Sequence, residues 1–358
     1  MKTLRLKVDP EHLQTGAASE ALDRAATILR SGGLVALPTE TVYGLGANAL
    51  DRAAVERIFA AKSRPAWDPI IVHVASLEML DGLVQRVPTA AQRLMEHFWP
   101  GPLTMLLART SAVPDCVTAG RPLVGVRMPS HPVALELIRR AGVPVAAPSA
   151  YRFGHISPTT AAHVLDDLDG RIDAVLDAGS TSRGVESTVL DPAPTPMMIY
   201  RPGAVTEEQI REIAGPVEIY RSTEPLKDAP AEALPSPGVG LRHYAPRARL
   251  VLVETAIAAP SVQASLAAIE TGLEKAARNE SHERMGVMLP DGVTAPIGIG
   301  QERVFRWGQW SVPEELAQRL YAGLRALDAA GCTVILCPLP PAEGIGAALR
   351  DRLRKAAR

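Results

Sequence analysis

Three apolar runs, IDAVLDAG (Ile172–Gly179), ESTVLD (Glu186–Asp191) and MMIYR (Met197–Arg201), follow one another at intervals too short to hold a helix. Each is rich in β-branched or long apolar side chains and is bounded by turn-forming residues, the pattern of strands. LVALP (Leu34–Pro38), IIVHV (Ile70–Val74), LTMLL (Leu103–Leu107), LVGVRM (Leu123–Met128) and VPVAA (Val143–Ala147) read the same way. Between the earlier runs lie helical segments. Ala18–Arg30 has a helical period, Asp51 can cap a helix through Ala61, and Ser157-Pro158 is placed to open another. Strands that succeed one another without a helix cannot all lie parallel, which predicts a mixed, partly antiparallel sheet rather than a purely doubly wound one.

The pattern stops between Arg221 and Pro246, where RSTEPLKDAPAEALPSPGVGLRHYAP carries five prolines and neither period. Such a stretch reads as a linker. Beyond it, RLVLVE (Arg249–Glu254), a helix near Val262–Ala276, GVML (Gly286–Leu289), a helix near Pro313–Ala329, CTVILC (Cys332–Cys337) and a final helix from Gly344 predict a smaller α/β unit. Ser311 and Glu314 have the spacing of a capping box. The expected division is 1–218, a linker at 219–247, and 248–358, in a chain whose 358 residues suffice for two cores.

Composition excludes several function classes. A net charge of −1 does not describe a nucleic-acid coat or a membrane-surface protein. No run approaches the roughly 18 apolar residues that span a bilayer, and MKTLRLKVDPEHLQ lacks a signal-peptide core, so a cytoplasmic location is expected. The three cysteines, Cys116, Cys332 and Cys337, are too few for a disulfide framework and read as structural thiols.

No P-loop, no dinucleotide fingerprint, no HExxH and no CxxC pair is present, so phosphate or metal chemistry would need a distributed device. PTETVYGLG (Pro38–Gly46) sets Thr39, Thr41 and Tyr43 beside two glycines at a strand end, where hydroxyls and N–H groups can approach a ligand. Lys62 and Arg64 in KSRP end a helix, and either complement its dipole or bind an anion. Arg127 and Arg201 each terminate an apolar strand, where an arginine serves a site or a salt bridge. His73 inside IIVHV reads as a satisfied core histidine or a ligand. The loop APSAYRFGHISPTT (Ala147–Thr160) joins a strand to a helix and carries a bulky Tyr151 among hydroxyl residues.

In their order, ALPTETVYGLG, KSRPAWDPIIVHV, FWPGPLTMLL, VGVRMPSHP, VPVAAPSAYRFGHISPTTA, GVESTVLD and YRPGAVT resemble the threonylcarbamoyl-adenylate synthase family. SPGVGLRHYAP and EGIGAALRDRLRKAA resemble the linker and the C-terminal end of its two-domain form. The resemblance implies an α/β fold: a YrdC-like twisted mixed sheet with surrounding helices and a concave site, then a smaller Rossmann-like α/β C-terminal domain. It implies synthesis of threonylcarbamoyl-adenylate from L-threonine, bicarbonate and ATP, with pyrophosphate released and Mg²⁺ carried by the nucleotide rather than by a protein site. The product would pass to a tRNA threonylcarbamoyltransferase acting next to the anticodon.

Carried over by position, the resemblance makes Lys62 and Arg64 the catalytic pair and lines the L-threonine pocket with Thr41, His73, Arg127, Ser149 and Ser187. It puts Lys62, Arg64, Asp68, Leu123, Tyr151, Thr159, Arg201 and Tyr244 at the ATP, with the linker acting as a lid. Several positions depart from the family. Tyr151 stands where S-A-N is usual, Leu123 where a hydroxyl is usual, Asp68 for a frequent Asn, and Ser180 and Ser182 in an altered turn. Three readings follow: a synthase in which Tyr151 stacks on or bonds to the nucleotide, a divergent relative with another substrate, or an inactive binder. A module binding double-stranded RNA is the alternative of another class, and a weak RNA contact is a further expectation. Such a module needs clustered basic residues, and here the charges are spread.

Overall fold

Eleven short strands in the first 220 residues build one mixed sheet. In chain order they are β1 (Leu4–Lys7), β2 (Val35–Leu37), β3 (Gly44–Asn48), β4 (Ile71–His73), β5 (Leu103–Ala108), β6 (Leu123–Arg127), β7 (Val145–Ala146), β8 (Ala174–Asp177), β9 (Thr188–Asp191), β10 (Met197–Arg201) and β11 (Val217–Ile219). Across the sheet the order is β1-β8-β2-β3-β7-β4-β6-β5-β9-β10-β11. The pairs β2/β3, β3/β7, β7/β4, β6/β5 and β9/β10 are antiparallel, and the others are parallel. The mixed sheet expected from the crowded strand runs is therefore present. The computed structural model describes residues 2–221, 236, 244–254, 261–280 and 284–358.

Strand alternation sorts side chains to two faces. Ala36, Leu45, Val72, Met105, Val124, Val126 and Leu190 enter the main core on one face. On the other, Val35, Leu37, Val145 and Leu176 pack under two helices, Gly16–Arg30 and Pro132–Ala141. The first buries Ala18, Ala21, Leu22, Ala25, Ala26 and Leu29, a single stripe at helical spacing. Farther along that same face, at β4, β6, β5 and β9, Ile71, Leu106 and Val189 form a small apolar cluster with Leu123 and Tyr200 packed against it.

Two local expectations are corrected. The helix after VPVAA begins at Ala161, capped by Thr160 through the N–H of His163, and not at Ser157-Pro158. Ser157 donates its hydroxyl to Glu186 Oε1 (2.6 Å), which takes it out of reach of any helix start. β3 was not legible because glycines weaken a strand pattern. A Cβ on Gly46 would meet Val145 Cγ1 at 2.8 Å and Leu37 Cδ2 at 2.9 Å, so side chains from both neighbouring strands occupy its space.

The chain forms two units: Met1–Phe153, Ser157–Ser182 and Glu186–Leu241 in one, and Gly154–Ile156, Arg183–Val185 and Arg242–Arg358 in the other. In the second, β12 (Arg249–Val253), β13 (Met285–Pro290), β14 (Val304–Gly308) and β15 (Val334–Pro338) lie in the order β12-β15-β13-β14, all parallel, a Rossmann-like arrangement. The capping box at Ser311 and Glu314 does not form. The helix Pro313–Ala329 starts after Val312 with no side-chain cap, and Glu315 accepts from the Gln309 N–H (3.0 Å) instead. Cys116, Cys332 and Cys337 are free thiols. Of the expected linker, 222–235 and 237–243 lie outside the described residues. Among the described residues no helix is long and apolar enough to cross a membrane.

Candidate active site

β4 and β6 run parallel with His73 beside Arg127, so both side chains share the face that carries the small apolar cluster. Arg127 is 3% exposed and held by three contacts: Nε donates to Gly101 O (3.1 Å), Nη1 to Thr41 Oγ1 (3.0 Å), and Nη2 pairs with Glu40 Oε1 (2.5 Å). Glu40 Oε2 in turn accepts from the Ser130 N–H (3.2 Å). Burial alone would raise this carboxyl, but the Arg127 guanidinium and these hydrogen bonds outweigh it and hold Glu40 below the usual range. Thr41 is fixed from its other side by Thr39, whose hydroxyl lies 2.8 Å from Thr41 Oγ1 and donates to Val42 O (2.6 Å).

His73 is pushed down to about 3, first by burial and then by the Arg127 charge, so its imidazole is neutral. Its Nδ1 makes no hydrogen bond among the described residues. A buried, neutral and unpartnered ring nitrogen on this face is suited to a polar ligand atom.

The second half of the site comes from β9 and β10. Register slips by one between Ile199 and Arg201, with Ile199 opposite Leu190 and Arg201 opposite Val189. This bulge re-aims the strand, so that Tyr200 packs on the apolar cluster while the next residue, Arg201, also reaches Ser187. Arg201 donates from Nη2 to Ser187 Oγ (3.1 Å) and from Nε to Ser187 O (3.1 Å), and Thr104 Oγ1 lies 2.8 Å from the same hydroxyl.

Lys62 is the last residue of the helix Arg52–Lys62, which Asp51 caps at its start and Ser63 ends in a left-handed conformation (φ 53°). The side chain does not extend into water at the helix end, as a simple dipole complement would. It is fully buried, and Nζ donates to the carbonyls of Ser149 (2.5 Å) and Tyr151. Burial, and after it the Arg64 charge, holds this amine well below the usual lysine value. Arg64 donates to Asp68 O (3.2 Å) and Pro69 O (2.7 Å) and pairs with Asp68 Oδ2 (3.0 Å).

Asp68 is completely buried, and burial raises its carboxyl although Arg64, Lys62 and Arg201 all pull it down. It differs from Glu40 in a physical respect: among the described residues neither of its oxygens accepts a hydrogen bond that would stabilise the charge. The three cations acting on it come from the end of one helix, the loop after it, and β10.

The structure thus brings Thr41, His73 and Arg127 together, Ser187 with Arg201, and Lys62 with Ser149, Tyr151, Arg64 and Asp68. Leu123 lies at the opposite end of β6 from Arg127, against the apolar cluster. Thr159 is engaged with His163 Nδ1 (3.3 Å) at the start of a helix. Tyr244 lies in the second unit, where its ring stacks on Tyr321 (5.8 Å between centroids) and Arg352 sits 5.2 Å over it. Tyr43, read as a ligand-facing hydroxyl, is corrected: it is buried and donates to Gly179 O (2.7 Å). Glu40 and Thr104 were missed, although both stand inside the quoted motifs, as polar residues flanking an apolar strand and within one.

Residues 27–203 match a family model described as "Telomere recombination", and residues 205–358 match one described as "Threonylcarbamoyl-AMP synthase, C-terminal domain". The threonylcarbamoyl-AMP synthase of Pyrococcus abyssi is 41% identical over 336 residues, 93% of this chain and 92% of that protein. The Bacillus subtilis protein of the same name is 40% identical over 359 residues, 100% of this chain and 98% of its own. A crystal structure of Pyrococcus abyssi Sua5 complexed with L-threonine matches with a TM-score of 0.86 at 39% identity, covering 99% of this chain and 98% of that one.

Proposed function

The chain belongs to the threonylcarbamoyl-AMP synthase family, and from that premise we propose how its cleft carries the reaction. The enzyme makes threonylcarbamoyl-adenylate from ATP and L-threonine, for threonylcarbamoyladenosine in tRNA. Bicarbonate is the third substrate in our reading. The threonine amine and bicarbonate condense to a carbamate and water. A carbamate oxygen then bonds to the α-phosphorus as the bond from that phosphorus to the pyrophosphate oxygen breaks.

Three anionic groups meet in that step, and charge placement rather than a covalent nucleophile is what it needs. The observation that supports this assignment is the buried pair of Arg64 with Asp68 Oδ2 (3.0 Å), beside the buried Lys62 and Arg201, whose charges also act on that carboxyl. We assign the triphosphate to these cations, which are fixed before the nucleotide arrives and so need no reorganisation. Threonine is assigned to Thr41, His73, Arg127, Ser149 and Ser187. Glu40, Thr41 and Gly101 occupy only part of the five-donor guanidinium of Arg127, leaving N–H groups for the substrate carboxylate.

Mg²⁺ is assigned to the triphosphate, whose oxygens are the hard donors it prefers. Asp68 is committed to Arg64, and no cluster of three or more His, Cys, Asp or Glu side chains able to hold a metal occurs among the described residues. The apolar cluster with Leu123 and Tyr200 suits the base, Thr159 and Tyr244 are kept as nucleotide contacts, and the linker as a lid. The reaction is placed in the cytoplasm, with the product handed to a tRNA threonylcarbamoyltransferase and only weak RNA contact.

The test is pyrophosphate release by the purified chain with ATP, bicarbonate and L-threonine. Release that requires threonine and bicarbonate, and that falls at least about a hundredfold in Arg201→Ala, is the expected result. Undiminished release in Arg201→Ala and Lys62→Ala would move the triphosphate elsewhere.

A further inference from the structure

We propose that Asp68 takes up one proton for each ATP bound, and so acts as the positioning residue that releases Arg64 from a carboxylate to the triphosphate. The inference rests on the assignment of the triphosphate to Lys62, Arg64 and Arg201.

The guanidinium of Arg64 is anchored on one side. Nε donates to Asp68 O (3.2 Å), Nη2 donates to Pro69 O (2.7 Å), and the same nitrogen pairs with Asp68 Oδ2 (3.0 Å). These contacts leave the two N–H groups of Nη1 for an anion. A phosphate bound there puts the guanidinium between two anions, with one positive charge for both. The carboxylate then lies within about 6 Å of the phosphate, a range at which a like charge raises a carboxyl by roughly one to three pH units.

Full burial of Asp68 opposes the alternative, a swing of the carboxylate into water, and its main chain is held by N–H donation to Pro65 O (3.3 Å) and by Arg64 at its carbonyl. Among the described residues neither side-chain oxygen accepts a hydrogen bond, so only the surrounding charges favour the ionised form. Burial already raises the carboxyl against them. Once protonated by solvent, it has an O–H to donate to a phosphate oxygen in place of a repelling charge.

The charges acting on Asp68 are those of Arg64 in its own loop, Lys62 at the helix end and Arg201 on β10. Asp167, in the helix Ala161–Leu168, acts on Lys62. Behind the loop, where the Ile70 N–H donates to Val117 O (2.8 Å), Asp115 pairs with Arg109 (2.5 Å) and Cys116 answers to Arg52 and Glu56. Lys62, whose amine burial holds well below the usual lysine value, is the competing acceptor of the proton.

The experiment is calorimetry of Mg²⁺-ATP binding to the full chain, without threonine, in buffers of different ionisation enthalpy from about pH 6 to about pH 9. Uptake should approach about one proton per ATP, and within that window affinity should fall by up to about tenfold for each pH unit of rise. Asp68→Asn, a neutral group of the same shape, should lose this slope and bind ATP at least about tenfold more tightly than the native chain near pH 8. The titration of ATP itself is common to both proteins. Infrared difference spectra supply a readout that packing would not move. A non-hydrolysable ATP analogue should bring up the C=O stretch of a protonated carboxyl, displaced by ¹³C-labelling of aspartate and missing in Asp68→Asn. Should that variant fail to fold, the band in the native chain decides.

No proton uptake anywhere in this range would overturn the proposal, and so would uptake undiminished in Asp68→Asn, which would give the proton to Lys62. Unchanged ATP binding in Arg64→Ala and Arg201→Ala would instead remove the assignment beneath it. Weakened binding in those variants, with no carboxyl band in the native chain, would leave that assignment standing and sink this inference alone.

Discussion

Glu40 and His73 flank Arg127 and respond to it in opposite ways. The guanidinium holds the carboxyl of Glu40 ionised and helps keep the imidazole of His73 neutral. Removing the charge of Glu40 leaves Arg127 buried without its counter-ion. Glu40→Gln should therefore lower unfolding stability by about 3 kcal/mol in a urea titration, and raise the KM for threonine more than that for ATP. His73 gives a pH signature. Above pH 6.5 the residue is neutral whether folded or unfolded; between 6.5 and about 3 the unfolded chain takes up a proton that the folded chain refuses. Stability is thus lost as pH falls through that window, by up to about 1.4 kcal/mol per pH unit. Melting temperatures from pH 7 to 5 should fall less steeply in His73→Asn than in the native chain, the carboxylates being common to both. Arg127, His73 and Thr41 could be singled out from the sequence because polar residues in or beside apolar strands are conspicuous. Glu40 could not, since an acid in a strand-end loop reads as solvated until the fold buries it.

At the level of elements, the strand runs were legible because alternation writes burial directly into the chain, whereas the bulge in β10 was not. MMIYR has the same letters with or without a slipped register, yet the slip lets Tyr200 and Arg201 serve one face. Gly203 follows it closely, and a Cβ there would lie 2.3 Å from Thr188 N and 2.5 Å from Ser187 C. Gly203→Ala must push the start of β9 aside, and Ser187 with it. Its expected cost is about 3 kcal/mol of stability, the upper end for overpacking, and roughly a hundredfold in kcat/KM. Asp51→Ala is the contrast. It removes the cap from the helix bearing Lys62, at about 1 kcal/mol, but Lys62 is anchored at the far end by carbonyls of another loop. Pyrophosphate release should persist in that variant while thermal unfolding shifts downward.

For the whole molecule, a boundary read along a sequence is a point, whereas the two units here are not contiguous segments. Gly154–Ile156 and Arg183–Val185 cluster with the C-terminal part through contacts distant in sequence, which no local pattern encodes. Tyr244 is where the two levels of description meet. Its position in HYAP suggests a nucleotide contact, yet its ring is 2% exposed, held at φ 65° and stacked between Tyr321 and Arg352 of the second unit. Packing and substrate contact make different demands on the side chain: the first needs the ring, the second its hydroxyl. Tyr244→Phe retains the ring and should keep more of the melting temperature than Tyr244→Ala, which should lose several degrees through the cavity it leaves. With the linker as a lid and the hydroxyl answering the nucleotide, Tyr244→Phe should lower kcat/KM for ATP at temperatures where the variant is still fully folded. Full activity in Tyr244→Phe would give Tyr244 to the core of the second unit alone, and whatever closes the site would then lie in another part of the chain.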